Sequence, residues 1–471
     1  VNLDFVEACF LYNNILNMIM KQLITCLLAC MGLFACTAPS VTIEGKNEIN
    51  RQEEFHLYCC QAGSFIPIAS APIDSNGCFH LSVPLPQEGF YLLGTERGVM
   101  HPLYLKGNET IRLRFRTKGI VLEGEQTPEN QVLSQWERAA TLVREHAFLY
   151  ERFGGGYSTD PVTFTRELED LLRVRQQLKP EKATDNATFN SLLKAKMEAD
   201  VDFYALAYLQ RNAGNLSDTV RLSNYYQEMQ PENTLQQTAL LQLPYAGEML
   251  RTYVWHKYGD PVELREAFKY KSTCLSDFKF QQHYLYNEIT RFRYYEQYQQ
   301  LIDSVGKTFF GKSYQNGLEL IEKQLAWSKP GIPAVDFKGM QPDSSSLALS
   351  ELLGKVIVVD VWATWCSPCR RMMPYFKQLE KELEGEEVEF LSVCIGTSIE
   401  WDSWKEIVAT EELAGHLIFI NSWTKGFAKE YRIVGVPRFL IFDRKGYIVS
   451  VNAPAPNKLA LKELILKTLK K

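Results

Sequence analysis

The sequence has no excess of basic residues and, beyond its first forty residues, no long apolar run. Its 51 lysines and arginines are outnumbered by 56 aspartates and glutamates, which gives a net charge of -5. This balance gives no excess of positive charge with which to bind nucleic acid or an anionic membrane surface, so we expect protein or small-molecule partners. After residue 40 no apolar stretch approaches the ~18 residues that a membrane-spanning helix needs. A second CxxC motif and a paired-histidine motif are also missing, which argues against a zinc site.

Residues 20–36 have the pattern of an export signal. Met20-Lys21 is a short basic start, residues 23–35 are mostly apolar, and small residues precede a break at Pro39. Such a segment is too short to span a membrane comfortably, and it is not part of the fold. We interpret residues 1–19 as a non-native upstream extension, because they do not resemble any part of a signal.

The segment Leu33-Phe34-Ala35-Cys36 resembles a bacterial lipobox, in which the cysteine is lipidated and becomes the mature N-terminus. Cys30 is a rival candidate, but it would leave a shorter apolar region after the basic start. Lipidation of Cys36 would anchor the protein to a membrane, and we favour the periplasmic face of the outer membrane. A cysteine-rich core helix is the alternative interpretation of this segment.

The rest of the chain is long enough for about three domains, and the spacing of its apolar residues separates three regions. Residues 37–125 show the period of two that is typical of half-buried strands, which predicts a β-rich domain. Residues 126–328 show helical spacing and predict a helical domain, with Thr127 as the cap and Pro128 at the first helical position.

In residues 329–471 strand and helix patterns alternate, which predicts an α/β sheet covered by helices. Strands are expected at 356–361, 388–394, 438–442 and 447–451. Helices are expected at about 368–384, near 400–410, and from Lys458.

A pair of cysteines follows the first of these strands, in the phrase Trp365-Cys366-Ser367-Pro368-Cys369. Cys366 falls at the N-terminus of the next helix, where free amide groups and the helix dipole stabilise a thiolate. Cys369 lies one turn further on, near enough to form a disulfide but deeper in the first turn. We therefore expect Cys366 to be an exposed attacking thiol and Cys369 a shielded resolving thiol.

The segment from Val359 to Arg370, with Pro374 further along the helix, resembles the active-site segment of the thioredoxin superfamily. Three further phrases resemble its TlpA/ResA-like branch: Pro333-Ala334-Val335-Asp336-Phe337, Gly354-Lys355-Val356, and Gly435-Val436-Pro437 followed by Phe439-Leu440-Ile441-Phe442-Asp443. The resemblance covers roughly residues 330–471. The β-rich region more weakly resembles the domain that often precedes thioredoxin domains in exported Bacteroidota proteins. The expected fold class is therefore multidomain: an N-terminal all-β domain, an α-helical middle domain and a C-terminal α/β thioredoxin-like fold.

The resemblance also implies roles for residues near the cysteines. Asp360 would be a buried carboxylate beneath Cys369, where desolvation raises its pKa and lets it accept the Cys369 proton. The Val436–Pro437 bond would be cis, and this segment would offer its backbone to an extended substrate. Trp365 and Val436 are expected to contact the substrate. An ordinary structural aspartate is the alternative for Asp360.

One position departs from the pattern of the branch. A glutamate commonly stands three residues after the second cysteine, and Met372 occupies that place here, so no role of that glutamate can be carried over. A peroxide-reducing member of the superfamily would have a proline and a threonine before its cysteine, where this chain has Val359 and Ala363. Peroxidase activity is therefore not expected.

Five other cysteines follow the signal. Four of them allow several pairings or free thiols, and the sequence does not decide between these. Cys394 lies in an apolar strand, and we expect it to be a buried, inert thiol. The undecided four are Cys59, Cys60, Cys78 and Cys274.

These expectations converge on an exported, lipid-anchored thiol-disulfide oxidoreductase that reduces protein disulfides in the periplasm through Cys366 and Cys369. No cofactor or metal is expected. The expected partners are an exported protein substrate that contains a disulfide, a membrane thiol reductant that supplies electrons, and the membrane that holds the lipid; nucleic acid is not among them. The alternatives are a partner-binding lipoprotein whose thioredoxin domain is regulatory, and a thiol reductase of the cytochrome c maturation type.

Overall fold

The computed structural model describes residues 39–49, 54–61, 64–95, 100–116, 119–148, 160–212, 224–259, 272–413 and 415–471. The extension 1–19, the signal 20–36 and its Cys36 lie outside these ranges. The described residues form two compact units, one holding the chain up to 291 with 305–315, the other holding 292–304 with 316–471. Within the described ranges, no helix is both long and apolar enough to cross a membrane.

The first unit begins with two four-stranded sheets, ordered β4-β1-β7-β8 and β3-β2-β5-β6. Residues that alternate along the sequence, such as Phe79 and Leu81, point into a shared core, as the period of two predicts. In that core the ring centroids of Phe55 and Phe79 lie 4.1 Å apart and those of Phe55 and Phe115 lie 4.3 Å apart. The strands are β1 Ser40–Asn47, β2 Phe55–Gln61, β3 Ser64–Ala71, β4 Cys78–Pro84, β5 Gly89–Thr95, β6 His101–Leu105, β7 Glu109–Arg116 and β8 Gly119–Glu123.

Helices then follow to the end of the middle region, as predicted. The first begins at Pro128, and the Thr127 hydroxyl accepts a hydrogen bond from the Asn130 N–H at 3.3 Å, which caps it. The Asn130 side chain also bonds both backbone groups of Tyr104 on β6, at 2.9 and 2.8 Å, and so ties this helix to the sheet. The helices are α1 Pro128–Phe148, α2 Pro161–Leu178, α3 Ala187–Arg211, α4 Asn224–Glu228, α5 Pro231–Thr234, α6 Ala246–Tyr258, α7 Phe278–Thr290, α8 Tyr295–Val305 and α9 Lys312–Leu325.

A buried cluster of charged and polar side chains joins α1, α3 and the start of α6. Asp200 on α3 accepts hydrogen bonds from the Trp136 indole at 2.6 Å, the Lys196 ammonium at 2.9 Å and the Tyr245 hydroxyl. Lys196 also pairs with Glu137 at 2.9 Å. Each buried charge in this cluster therefore faces an opposite charge or a hydrogen-bond donor, as a low-dielectric interior requires.

The second unit contains a seven-stranded sheet in the order β10-β9-β13-β12-β11-β14-β15. Strand β11 is central, parallel to β12 and antiparallel to β14. The strands predicted from the sequence are present, while β9, β10 and β13 were not predicted. The strands are β9 Lys338–Met340, β10 Ser346–Ala348, β11 Val356–Trp362, β12 Val388–Ile395, β13 His416–Ile420, β14 Arg438–Phe442 and β15 Ile448–Ala453; the helices are α10 Ser367–Glu382, α11 Trp401–Thr410, α12 Phe427–Glu430 and α13 Leu459–Leu469.

Residues 292–304, from the predicted helical region, belong to this second unit. The guanidinium of Arg438, at the start of β14, lies 4.7 Å from the centroid of the Tyr294 ring. The Ser450 hydroxyl donates a hydrogen bond to the Glu296 carboxylate at 3.1 Å. The compact unit that carries the cysteine pair therefore begins before the predicted start of the third domain.

Candidate active site

The two cysteines lie at the junction of β11 and α10 and are joined by a disulfide, with their Cα atoms 5.3 Å apart. Cys366 is the N-cap residue of α10, and Pro368 occupies the first turn, where a missing N–H costs no hydrogen bond. The Cys366 sulfur accepts a hydrogen bond from the Cys369 N–H at 3.1 Å. In the reduced pair, the same N–H and the positive end of the helix dipole would stabilise a Cys366 thiolate.

Burial of the pair differs from the sequence-based expectation in one respect. Cys366 and Cys369 are both only 1% exposed, so the prediction of an exposed Cys366 is wrong for the disulfide form. The reason is tertiary: both cysteines join an apolar cluster with Trp362 and Met373, and Val436 packs against that cluster. The two sulfurs are therefore distinguished by the N-cap position of Cys366 and not by a difference in exposure.

Asp360 lies on β11, on the face that packs against α10. Its neighbours at alternate positions, Val356 and Val358, share a core cluster with Phe376 of that helix. The carboxylate is buried, and its Oδ1 has no hydrogen-bond partner among the described residues. Burial raises the pKa of Asp360 to about 7, because desolvation disfavours the charged form. A carboxyl with that pKa can both accept and release a proton near neutral pH.

A small cavity lies against Asp360. Its volume is about 20 Å³, which is room for one water molecule. Met373 and Phe376 of α10 line it, and Met373 also belongs to the cluster that surrounds the two cysteines. The cavity therefore places Asp360 beside the first turns of the helix that carries Cys366 and Cys369.

The segment predicted to hold substrate lies against the same cysteine cluster. The Val436–Pro437 peptide bond is cis, and Val436 is half-buried against the cluster. Trp365 is 64% exposed, and its ring lies 5.8 Å from that of Trp423, which packs against the same cluster. An aromatic pair, with Trp365 exposed and Trp423 half-buried, therefore borders the cluster that holds the disulfide. Trp423 carries no sequence signal that could have identified it, because only folding brings it next to Trp365.

The other described cysteines form no disulfide in the structure. Cys394 is fully buried in the same cluster as the disulfide, and burial raises the pKa of its thiol, in keeping with an inert role. In the part of the chain that the structure describes, no group of His, Cys, Asp and Glu side chains is arranged to hold a metal ion. The free thiols are Cys59, Cys78, Cys274 and Cys394, while the Cys60 thiol donates to the backbone oxygens of Leu241 and Leu243 at 3.8 Å.

Comparisons with known proteins bear on the second unit alone. The family model named Redoxin matches residues 328–464. The thioredoxin-like protein YneN of Bacillus subtilis (strain 168) is 29% identical over 148 residues, which are 31% of this chain and 85% of that protein. The thiol-disulfide oxidoreductase ResA of Oceanobacillus iheyensis is 40% identical over 63 residues, 13% of this chain and 33% of ResA. The thioredoxin domain of a thiol-disulfide oxidoreductase from Bacteroides vulgatus is 22% identical, with a TM-score of 0.27 over 30% of this chain and 98% of that domain.

The C-terminal region of this chain, residues 328–464, carries a thioredoxin-superfamily domain that is similar to the TlpA/ResA-like branch. It is accordingly a thiol-disulfide oxidoreductase, and residues 328–464 carry the Redoxin match. The position where this branch commonly has a glutamate is filled by Met372, which packs partly buried against the core cluster of β11 and α10. A thioether neither donates nor accepts a proton, so any proton transfer at this site must use other groups.

Proposed function

We propose that this protein is an exported reductase of protein disulfides. The observation that carries the proposal is the pairing of an N-cap sulfur, held by the Cys369 N–H, with the buried Asp360 beside the same helix. The first group favours a thiolate on Cys366, and the second offers a base for the proton of Cys369. Both are needed for two successive thiol-disulfide exchanges.

The reaction begins with the reduced pair. The Cys366 thiolate attacks one sulfur of a substrate disulfide, forming a mixed disulfide and releasing the other substrate sulfur as a thiolate. Cys369 gives its proton to Asp360 and attacks Cys366, so that the Cys366–Cys369 disulfide forms and the second substrate thiolate leaves. Two electrons pass from the pair to the substrate, and the two substrate thiolates take up protons. A membrane thiol donor then restores the dithiol.

Substrate capture would use the surface around the disulfide. In this proposal Trp365 and Val436 contact an extended substrate chain, and the backbone beside Pro437 pairs with it. The exposed ring of Trp365, supported by Trp423, supplies apolar contact next to the reacting sulfur. Such contacts favour unfolded or extended protein segments over small disulfides.

The test uses the full chain and a protein disulfide such as insulin. Cys366→Ser should neither reduce insulin nor form a covalent complex with it. Cys369→Ser should attack but remain as a stable mixed disulfide, because no second thiol resolves it. Cys78→Ser, which changes an exposed free thiol on β4, should behave as the unaltered protein does. A stable complex with Cys366→Ser but not with Cys369→Ser would reverse the assigned roles, and an absence of reduction by the intact pair would reject the reductase.

The direction of the reaction is part of the proposal. Ser367 and Pro368 place no histidine between the two cysteines to stabilise the reduced thiolate further, which disfavours a strong oxidant. We expect a reduction potential of roughly -200 mV or below, measured by titration against glutathione. A potential near that of the strongly oxidising exported enzymes would reject the reductase in favour of an oxidase.

Export and anchoring rest on the sequence of residues 20–36. We propose that Cys36 carries the lipid and that the protein is held on the periplasmic side of a membrane. Cys36→Ala should lose labelling by a fatty-acid probe and leave the membrane fraction, because the acyl chains provide the anchor. Cys30→Ala is the matched control and should retain both properties; the opposite pattern would move the lipid to Cys30.

A further inference from the structure

Asp360 has no direct contact with solvent, although the proposed reaction loads it with a proton in every turnover. It is only 2% exposed, and Oδ1 has no hydrogen-bond partner among the described residues. A proton on Asp360 can return to Cys369 when the pair is reduced again, but an Asp360 that is already protonated when resolution starts must first lose its proton before it can accept the one on Cys369. The surroundings of Asp360 therefore have to supply a route.

The lining of the cavity beside Asp360 includes ionisable groups of α10. Besides Asp360 itself, the polar groups that line it are Ser392 on β12 and Lys377 and Glu380 on α10. The Ser392 hydroxyl accepts a hydrogen bond from the Trp362 indole at 2.8 Å, which fixes its position. Lys377 and Glu380 are half-buried, so the lining of this cavity includes both a buried acid and partly solvated groups.

Of the two outer groups, only Glu380 can carry a proton in both directions. The Lys377 ammonium donates to the backbone oxygen of Glu411, and an ammonium has no lone pair with which to accept a proton. The Glu380 carboxylate lies close to Gly415, just before β13, since a Cβ atom placed on Gly415 would lie 2.8 Å from its Oε1. The cavity has room for one water molecule, and both Asp360 and Glu380 line it.

We infer that Glu380 is the proton exit of the active site. This inference rests on the proposed reductase activity. The Cys369 proton passes to Asp360, then through a water in the cavity to Glu380, and from Glu380 to solvent. The water donates one proton as it accepts another, so it is unchanged. Glu380 thus acts through Asp360. It supplies an ionisable carboxyl group for proton transfer in a chain that has Met372 at the position of the usual glutamate.

Several charged groups face Glu380 and set when it titrates. Burial raises its pKa; His416 on β13 and Lys377 on its own helix oppose that rise, while Glu389 on β12 adds to it. Glu389 is itself paired with His416 at 3.0 Å and with Lys355 at 2.6 Å. The raised pKa of Glu380 is closer to the pKa of Asp360, and a smaller difference between the two pKa values makes proton exchange between the groups easier.

The test separates attack from resolution in the full chain. Reduced protein is mixed with a disulfide-containing peptide, and samples are quenched in acid to measure formation and decay of the mixed disulfide from pH 6 to pH 9. Glu380→Gln should leave formation unchanged and slow decay about tenfold, a modest share of what general acid-base catalysis contributes. Small weak acids in the buffer should restore part of the lost decay rate of Glu380→Gln, because they can carry protons in place of the missing carboxylate. Glu380→Asp should retain more activity than Glu380→Gln, because it keeps an ionisable group.

The matched control is Glu382→Gln, which changes an exposed glutamate on the same helix that pairs with Lys462 and does not line the cavity. If the mixed disulfide of Glu380→Gln decays at the same rate, and with the same pH profile, as that of Glu382→Gln, the proton exit lies elsewhere and the inference fails. If Glu380→Gln does not fold, the pH profile of Glu380→Asp decides, since an unchanged profile overturns the inference. A wild-type protein that forms no mixed disulfide would instead reject the proposed reductase.

Discussion

Two buried aspartates, Asp200 in the helical region and Asp360 in the thioredoxin-like region, differ in how the cost of burying a carboxylate is met. Asp200 is surrounded by donors: the Trp136 indole, the Lys196 ammonium and the Tyr245 hydroxyl. Asp360 has an oxygen with no partner among the described residues and a cavity beside it. A paired buried charge fixes the packing of helices, whereas an unpaired one is costly and is retained where its proton is useful.

The pKa directions follow the same division. Burial lowers the pKa of Lys196, but Asp200 and Glu137 outweigh it and raise the net value. For Glu137, burial is outweighed by Lys196 and Arg144, and the pKa falls to about 2. Around Asp360 no group among the described residues opposes burial, so its pKa rises to about 7. Lys196 and Glu137 therefore stay charged at neutral pH, while Asp360 changes its protonation there.

Removing a partner from the paired cluster should give the largest effect. Lys196→Met should destabilise the helical region by about 3 to 5 kcal/mol, because it leaves Asp200 and part of Glu137 buried without their cation. Hydrogen exchange resolved by mass spectrometry should show faster exchange in α1 and α3. The control is Lys194→Met on the same helix, whose partner Glu181 is exposed. Equal effects of the two changes would mean that the buried cluster contributes no more than a surface pair.

Removing the charge of Asp360 should act in the opposite direction on stability. The folded pKa of about 7 lies above the ordinary 3.8, so the folded state binds the proton more tightly and stability falls as pH rises from about 4 to about 7. At about 1.4 kcal/mol for each pKa unit, Asp360→Asn should gain up to about 4 kcal/mol at pH 8 relative to the wild type. The gain should vanish below pH 4. Hydrogen exchange of the β11 and α10 peptides at both pH values measures it, and a gain independent of pH would contradict the assigned titration.

The same substitution should slow the reaction. Asp360→Asn cannot accept the Cys369 proton, so resolution of the mixed disulfide should slow by about 100-fold while attack by Cys366 is little changed. Single-turnover mixing with a peptide disulfide separates the two steps. Asp200→Asn should leave both rates unchanged in protein that is still folded. A slower attack with unchanged resolution in Asp360→Asn would show that the carboxylate serves Cys366 instead.

The smallest effect should come from one donor of the paired aspartate. Trp136→Phe keeps an aromatic six-membered ring but removes the pyrrole ring with its N–H, whose nitrogen lies 2.6 Å from Asp200, and should cost about 2 kcal/mol of stability in the helical region. The loss should be insensitive to pH between 6 and 8, in contrast to the effect at Asp360. A loss that varies with pH in that range would remove the contrast between the two aspartates.

Local sequence alone determined much of this protein. The alternation around Phe79 and Leu81 predicted strands, Thr127-Pro128 predicted the start of a helix, and Cys366 after an apolar run predicted a sulfur at a helix N-terminus. Each of these depends on residues within a few positions of one another, where backbone preference and the spacing of apolar side chains carry the information. The fold class and the cysteine pair were predictable for that reason.

Only the tertiary structure decided what surrounds those elements. Burial of Cys366, the approach of Trp423 to Trp365, and the cavity that Asp360 shares with Glu380 all depend on contacts between distant segments. The strand β13 and the membership of residues 292–304 in the second unit were missed for the same reason. Exposure and proton transfer are properties of neighbours in space, and no periodicity along the chain records which distant side chain becomes a neighbour.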